Sequence, residues 1–287
     1  MNTLKSVMLL VLLSVILIFF GNILGGQDGA LVMFLISLGI NFIVYWNCDK
    51  IALYSYNAKA LSESEVPELF ELVRQVSTKA QLPMPRIYII PTSVPNAFAT
   101  GRNPENAAIA VTEGILQLLD KDEMEGVLSH ELSHIKNRDT LVMTLAASIA
   151  TAIGYLANIA KWSVIFGGSN RERDNGGNAI SLLVASVIAP IAAMILQMTL
   201  SRSREFLADE SGAKICKKPL ALASALQKLD DYAHRRVILQ STPAMASLFI
   251  INPLSGVRDM ARLFSTHPST EARVEKLYKI AREMRLI

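Results

Sequence analysis

Val127-Leu128-Ser129-His130-Glu131-Leu132-Ser133-His134-Ile135-Lys136 is the stretch on which the reading of this chain turns. Asp122, Glu123 and Glu125 come just before it, acidic residues that suit the first turn of a helix. Val127, Leu128, Leu132 and Ile135 recur at helical spacing. The pattern predicts a helix that begins near Asp122 and packs against a core. On that helix His130 and His134 stand at i and i+4, on one face and one turn apart. Two imidazoles so placed can hold one Zn²⁺, and Glu131 between them can take a proton from a water at the same point. The competing reading is an exposed polar helix face. Against it, the chain has only four histidines, and apolar residues surround this pair.

Outward from the motif, the composition is that of a membrane protein. Of 287 residues 51% are hydrophobic and 18% charged, against roughly a quarter charged in soluble domains. The mean hydropathy is +0.34. Apolar runs from about Val7 to Leu24, Leu31 to Trp46, Leu141 to Phe166 and Ala179 to Leu200 account for the excess. Each is expected to cross the membrane, whose hydrocarbon core is about 30 Å thick. The first run is too long for a signal peptide, and a second follows after only a short turn, so a helical hairpin is expected. The sequence thus divides into a hairpin (1–50), a polar region with the motif (51–140), a second hairpin (141–200) and a polar tail (201–287).

Basic residues set the orientation. Lys5, Lys50, Lys59, Lys136, Arg138, Arg202 and Arg204 fall on the side of the N-terminus. The loop 167–178 holds Arg171 and Arg173, offset by Glu172 and Asp174. This bias places both polar regions in the cytoplasm. A net charge of +3 suits contact with anionic lipid and gives no reason to expect nucleic acid. Cys48 and Cys216 then lie in a reducing compartment and read as small apolar side chains.

Within the polar regions, an amphipathic helix is expected over Pro67 to Gln81, with Leu69, Phe70, Val73, Val76 and Ala80 inward. Short strands are expected at Arg86 to Ile90, Asn96 to Thr100 and Asn106 to Thr112, the last two as a hairpin through Gly101. A helix starts near Glu113. The motif helix is expected to continue, or to bend only slightly, into the third span after Asp139. Further helices are expected at 201–209, Leu220 to Arg236 and Pro268 to Arg285, while Gln240 to Asn252 stays ambiguous.

A hydrolytic zinc site needs a third protein ligand and an open position. Glu205 is the downstream candidate. The long gap from His134 makes sense if the chain leaves through the third span and returns through the fourth. The other reading of Glu205 is a solvated charge paired with Arg202 or Arg204. Asp209, one turn beyond, can hydrogen-bond the far nitrogen of a metal histidine and fix its tautomer.

The two runs His130-Glu131-Leu132-Ser133-His134-Ile135-Lys136-Asn137-Arg138-Asp139 and Ser201-Arg202-Ser203-Arg204-Glu205-Phe206-Leu207-Ala208-Asp209 resemble those of the HtpX family of bacterial membrane metalloproteases, relatives of the zinc-type CAAX prenyl proteases. The resemblance takes in the four spans, the segment Asn96 to Gly101 and a late His267-Pro268 pair. It implies an α+β, mostly helical membrane protein with four transmembrane helices and a cytoplasmic zincin-like domain carrying a small sheet. It implies a zinc endopeptidase with one Zn²⁺ per chain, multi-pass in the bacterial inner membrane and facing the cytoplasm. Its expected substrates are misfolded or damaged membrane proteins under stress, with other membrane quality-control proteases as partners. Glu205 becomes the third ligand. His267 becomes a group near the metal that steadies the charged transition state; the alternative is a helix-start histidine outside the chemistry. Asn96, Ala97, Phe98 and Ala99 become an edge strand that holds substrate by β-augmentation; the alternative is an ordinary sheet edge. Arg273 either braces the site or is a solvated helix charge, and His234 reads as surface. Three rivals stand beside this reading. An intramembrane protease of the site-2 type sits poorly with the charges of Lys136, Arg138 and Asp139. A CAAX-type processing enzyme would need more spans. A scaffold or chaperone with a structural zinc site has no use for Glu131.

Overall fold

The computed structural model describes residues 2–146, 149, 202–235, 250 and 268–287. Most of the third expected span, all of the fourth, the 167–178 loop and His267 lie outside the described residues.

The chain opens with α1, Asn2–Ser55, two helical arms that reverse at Gly25 and Gly26. Gly26 has φ +59 and ψ −146, a conformation open to glycine and closed to most other residues. The arms lie antiparallel. Asn41 in the second donates to the Ser14 hydroxyl (2.8 Å) and the Leu10 carbonyl (3.2 Å) in the first. Gly25–Ser55 is long and apolar enough to cross a membrane, and Leu4–Phe19 is a shorter apolar helix. The two arms thus form a helical hairpin, and among the described residues one helix is long and apolar enough to cross a membrane; four spans are not established.

A four-stranded sheet follows, in the order β1 (Lys59–Ala60), β2 (Arg86–Ile90), β4 (Ala108–Thr112), β3 (Ala97–Thr100). The expected hairpin is present as the antiparallel pair β3–β4. Two features were not expected. β2 and β4 run parallel, and the two-residue β1 adds to the far edge. β4 is buried throughout, which is why it reads as an unbroken apolar run instead of an alternating one. Ile109 and Val111 face the helical core, together with Ala97 and Ala99. Ala108, Ala110 and Phe98 face the other way, onto Ala52 and Leu53 at the end of α1 and onto Met143 of the helix that starts at Thr140. The sheet is the layer between the two halves of the molecule.

The helical core uses α2 (Pro67–Ala80), α3 (Glu113–Leu118), α4 (Lys121–Lys136), α5 (Arg202–Cys216), α6 (Pro219–Arg235) and α7 (Thr270–Glu283). In α2 the buried face includes Leu72 as well as the expected Leu69, Val73, Val76 and Ala80, while Phe70 is half-buried. α4 is the central helix. Asp120 caps it reciprocally with Glu123, a capping box that fixes its start. Every residue from Glu123 to Ile135 is buried. Its buried serines are satisfied within the helix, Ser129 on the Glu125 carbonyl and Ser133 on that of Ser129. Its two buried carboxylates clamp the neighbours. Glu123 binds Lys228 and Ser224 of α6, and Glu125 binds Lys79 of α2 and Lys218 at the start of α6.

One expectation fails here. α4 does not run on into the third span. It ends at Lys136 in a Schellman turn: Asp139 N–H donates to the His134 carbonyl, Arg138 N–H to that of Ile135, and Arg138 has φ +57. Helix resumes at Thr140. Gly or Asn is the usual residue at the left-handed position. Here the asparagine, Asn137, stands one place early, so the sequence gives no clear stop.

Candidate metal centre

The site is assembled where α5 crosses α4. Gly212 makes the crossing possible, because a Cβ there would lie 2.9 Å from the His130 amide nitrogen. With both helices this close, Glu205 reaches the histidine face of α4. The His130 and His134 rings stand edge to face, centroids 4.8 Å apart, and their Nε2 atoms are 3.2 Å apart. The Glu205 carboxylate spans them, Oε2 at 3.6 Å from His130 Nε2 and Oε1 at 3.7 Å from His134 Nε2. All three residues are buried, and their ligand atoms lie within 4.8 Å of one another.

These separations suit a tetrahedral ion. Ligand atoms about 2.1 Å from such an ion lie about 3.4 Å from each other. The outer nitrogens are already engaged. His130 Nδ1 is 2.9 Å from Asp209 and His134 Nδ1 is 3.4 Å from Asp139. If each Nδ1–H points to its carboxylate, both Nε2 lone pairs face the same point as Glu205, an arrangement that a metal cation satisfies. The buried carboxylates Glu131, Glu205, Asp209 and Asp139 gather here with the buried Arg273, and the half-buried Arg204 stands near Asp139. His134 reports the same demand. Burial alone would lower its pKa, yet the Asp139 hydrogen bond and the charges of Glu205, Glu131 and Asp139 push it up to about 9. The pocket calls for positive charge, and the donor set fits a metal.

Glu131 lies on the same helix but is not among the three convergent ligands. It is buried, and its carboxylate accepts the Ala99 N–H of β3 at 2.8 Å. Burial holds its carboxyl above the usual range, and Glu205 adds to this, against the pull of both histidines and the Ala99 N–H.

Arg273 braces the site, which decides between its two readings. It is 1% exposed. It grips Asp209 through two hydrogen bonds (2.7 and 2.8 Å) and donates a third to the Ile250 carbonyl. Burial would raise the Asp209 pKa, but the charge and hydrogen bonds of Arg273 outweigh it and hold that carboxyl low. Ile250 N–H in turn donates to the Asn96 side chain.

The structure therefore brings together His130, Glu131, His134, Glu205 and Asp209, with Ala97 and Ala99 beside them; His267 lies outside the described residues. In the edge strand the backbone of Asn96 is engaged with Thr112 of β4, on the inner side. By strand alternation Phe98 also turns its backbone groups to β4, while Ala97 and Ala99 turn theirs to the free edge. Phe98 packs on Tyr56, ring centroids 4.9 Å apart. The small size of Ala97 and Ala99 has a packing reason, since their side chains face α4. Sequence reasoning missed Asp139, Gly212 and the Ala99 amide. Asp139 is visible only once the turn after Lys136 is known, and no local pattern marks the other two.

The family model for peptidase family M48 matches residues 63–281. The chain is 52% identical over 283 residues to a protease HtpX homolog of Pyrococcus furiosus, covering 99% of this chain and 97% of that one. A protease HtpX homolog of Syntrophobacter fumaroxidans is 49% identical over 275 residues, 95% of this chain and 97% of its own. The crystal structure of S. mikatae Ste24p is similar with a TM-score of 0.53 at 16% identity, a likeness of fold, over 92% of this chain and 62% of that protein. The chain thus spans less than two thirds of that solved chain.

Proposed function

The chain belongs to peptidase family M48 and is a membrane metalloprotease, and from that premise we propose that it is a zinc endopeptidase cutting misfolded or damaged membrane proteins at the cytoplasmic face of a multi-pass fold. The observation that carries the reading is the convergence of His130 Nε2, His134 Nε2 and Glu205 on one point, with Glu131 beside them and tied elsewhere. His130, His134 and Glu205 are the proposed ligands.

When bound, zinc supplies Lewis acidity, bringing the pKa of a water towards roughly 7 and polarising the scissile carbonyl. Glu131 acts as general base on the attacking water and returns the proton to the leaving amine. The Ala99 N–H holds that carboxylate in place. Asp209, gripped by Arg273, orients His130. Substrate pairs with the free edge of β3 through the outward groups of Ala97 and the Ala99 carbonyl, the Ala99 N–H being committed to Glu131. His267 is proposed to face the transition state, on the strength of its His-Pro motif.

The cytoplasmic placement rests on the distribution of Lys and Arg; the neighbouring positions of His134 and Glu205 support only their lying on one side. A chain that leaves the site at Thr140 and returns at Arg202 meets itself there if it crosses the membrane twice between them.

Reconstituted chain, stripped with a chelator and assayed on an unfolded membrane protein or on casein, tests the reading. Cleavage should vanish on stripping and return with one equivalent of zinc. Full activity after verified removal of metal would contradict it.

A further inference from the structure

The two proposed metal histidines do not have equally obvious supports. His130 has Asp209, which has Arg273. For His134 the corresponding group is Asp139, and the corresponding cation is Arg204.

The local geometry is built by the turn. Had α4 continued, Asp139 at i+5 would stand about 140° round the helix from His134, pointing away from it. The Schellman turn reverses the chain instead, with Arg138 left-handed and the Asp139 N–H on the His134 carbonyl. Asp139 is thereby folded back onto the residue whose carbonyl it caps. Asp139 is 2% exposed and sets Oδ2 3.4 Å from His134 Nδ1. Its other oxygen is 3.9 Å from Arg204 Nη1. Arg204 immediately precedes Glu205, so the counter-charge of this carboxylate and the third ligand arrive on the same turn of α5.

We propose that Asp139 is the positioning carboxylate of His134, fixing its Nδ1–H tautomer so that Nε2 faces the metal, with Arg204 as its counter-charge. The centre then has two supports of one design, His130–Asp209–Arg273 and His134–Asp139–Arg204, the second looser than the first. This rests on the zinc reading of the site. It adds a role for the turn between α4 and the third apolar stretch: whatever moves residues 137–140 also moves a metal ligand.

Asp139 also occupies the N-cap of the helix that begins at Thr140, since its carbonyl accepts the Met143 N–H. The experiment separates the two roles. Zinc affinity is measured by chelator competition on the detergent-solubilised 287-residue chain, and the visible absorption of the Co²⁺-substituted chain is recorded. Asp139→Ser keeps a good helix cap but is too short to reach His134. Asp139→Asn keeps an uncharged acceptor, and Asp139→Ala keeps neither. Removal of such a supporting group typically costs 10–100-fold in metal affinity. Asp139→Ser and Asp139→Ala should therefore weaken zinc about equally within that range, Asp139→Asn by about tenfold, and the cobalt band should change in all three. Wild-type affinity in Asp139→Ser with loss only in Asp139→Ala would mean that the cap is the whole role, and would overturn the inference. Should the serine variant fail to fold, Asp139→Asn decides alone: unchanged affinity and spectrum overturn it. A wild-type chain that binds no zinc overturns the zinc reading and this inference together, whereas zinc binding lost in Glu205→Ala but unchanged across the Asp139 series overturns this inference only.

Discussion

Two helical regions of this molecule use the same residue types in opposite ways. In the second arm of α1 the large apolar side chains point outward: Leu31, Leu35 and Phe42 are 60%, 60% and 65% exposed. Its polar groups turn inward, Asn41 to Ser14 and Ser37 to its own helix. In α4 nothing large and apolar is exposed, and buried carboxylates, serines and histidines are each matched by a partner. The first pattern is stable only where the surrounding medium is itself apolar. The second is stable only where every buried charge has an answer. The comparison teaches that the hairpin is held by its surroundings and the catalytic body by its internal pairing. Perturbations should therefore separate them.

The largest effect is expected from Arg273→Met. It removes the partner of a buried carboxylate, a change that typically costs about 3–5 kcal/mol. Thermal unfolding in detergent should show the body melting far earlier, with α1 still helical. A melting curve like that of the wild type would mean that Asp209 does not depend on Arg273.

Next come two glycines. In Gly212→Ala the new Cβ meets the His130 backbone at 2.9 Å, and backbone cannot rotate away. We expect a loss of about 1–3 kcal/mol, as for overpacked cores, with weakened metal binding. A Cβ at Gly39 on the hairpin meets nothing within 4 Å. Gly39→Ala should leave stability and activity as they are. Equal outcomes for the two would erase the contrast drawn above.

The smallest effect is one of pH. Burial would raise the pKa of Glu123 and of Glu125, but their lysine partners outweigh it and hold both below the ordinary value. A carboxylate depressed in the folded state contributes stability that is fully present above its unfolded pKa, near 4.5, and is lost as pH falls through the folded value. Hydrogen-exchange protection factors at α4 and α6 should therefore fall below that point, while those of α1 stay flat. Protection in α4 and α6 that is unchanged or higher below that point would contradict the sign.

Much of the site was legible in the sequence because its chemistry is written in helical spacing. His130 and His134 at i and i+4 need only periodicity to be paired, whereas Glu205 and Asp209 were tied to them by the resemblance of the run Ser201 to Asp209 and by the expected return of the chain through the membrane. The hairpin β3–β4 was legible because Gly101, Arg102, Asn103 and Pro104 form a turn signal between two strand-like runs. The remainder depends on distance in space. Two residues, Lys59 and Ala60, carry no pattern that announces a strand. The parallel pairing of β2 with β4 is a long-range choice. Arg273 is one basic residue in a charged helix until Asp209 is placed beside it. Asp139 was hidden by the expectation that α4 runs straight on, which Arg138 breaks without the glycine that would have signalled it.

The central claim is a division of labour, with His130, His134 and Glu205 holding zinc and Glu131 moving protons. Glu131→Gln tests it most directly, with zinc content and proteolysis measured on the same preparation. The account predicts one zinc per chain and cleavage reduced by about 10²–10⁴-fold or more, the range for loss of a general base. Cleavage at the wild-type rate, or loss of the zinc along with the activity, would contradict it.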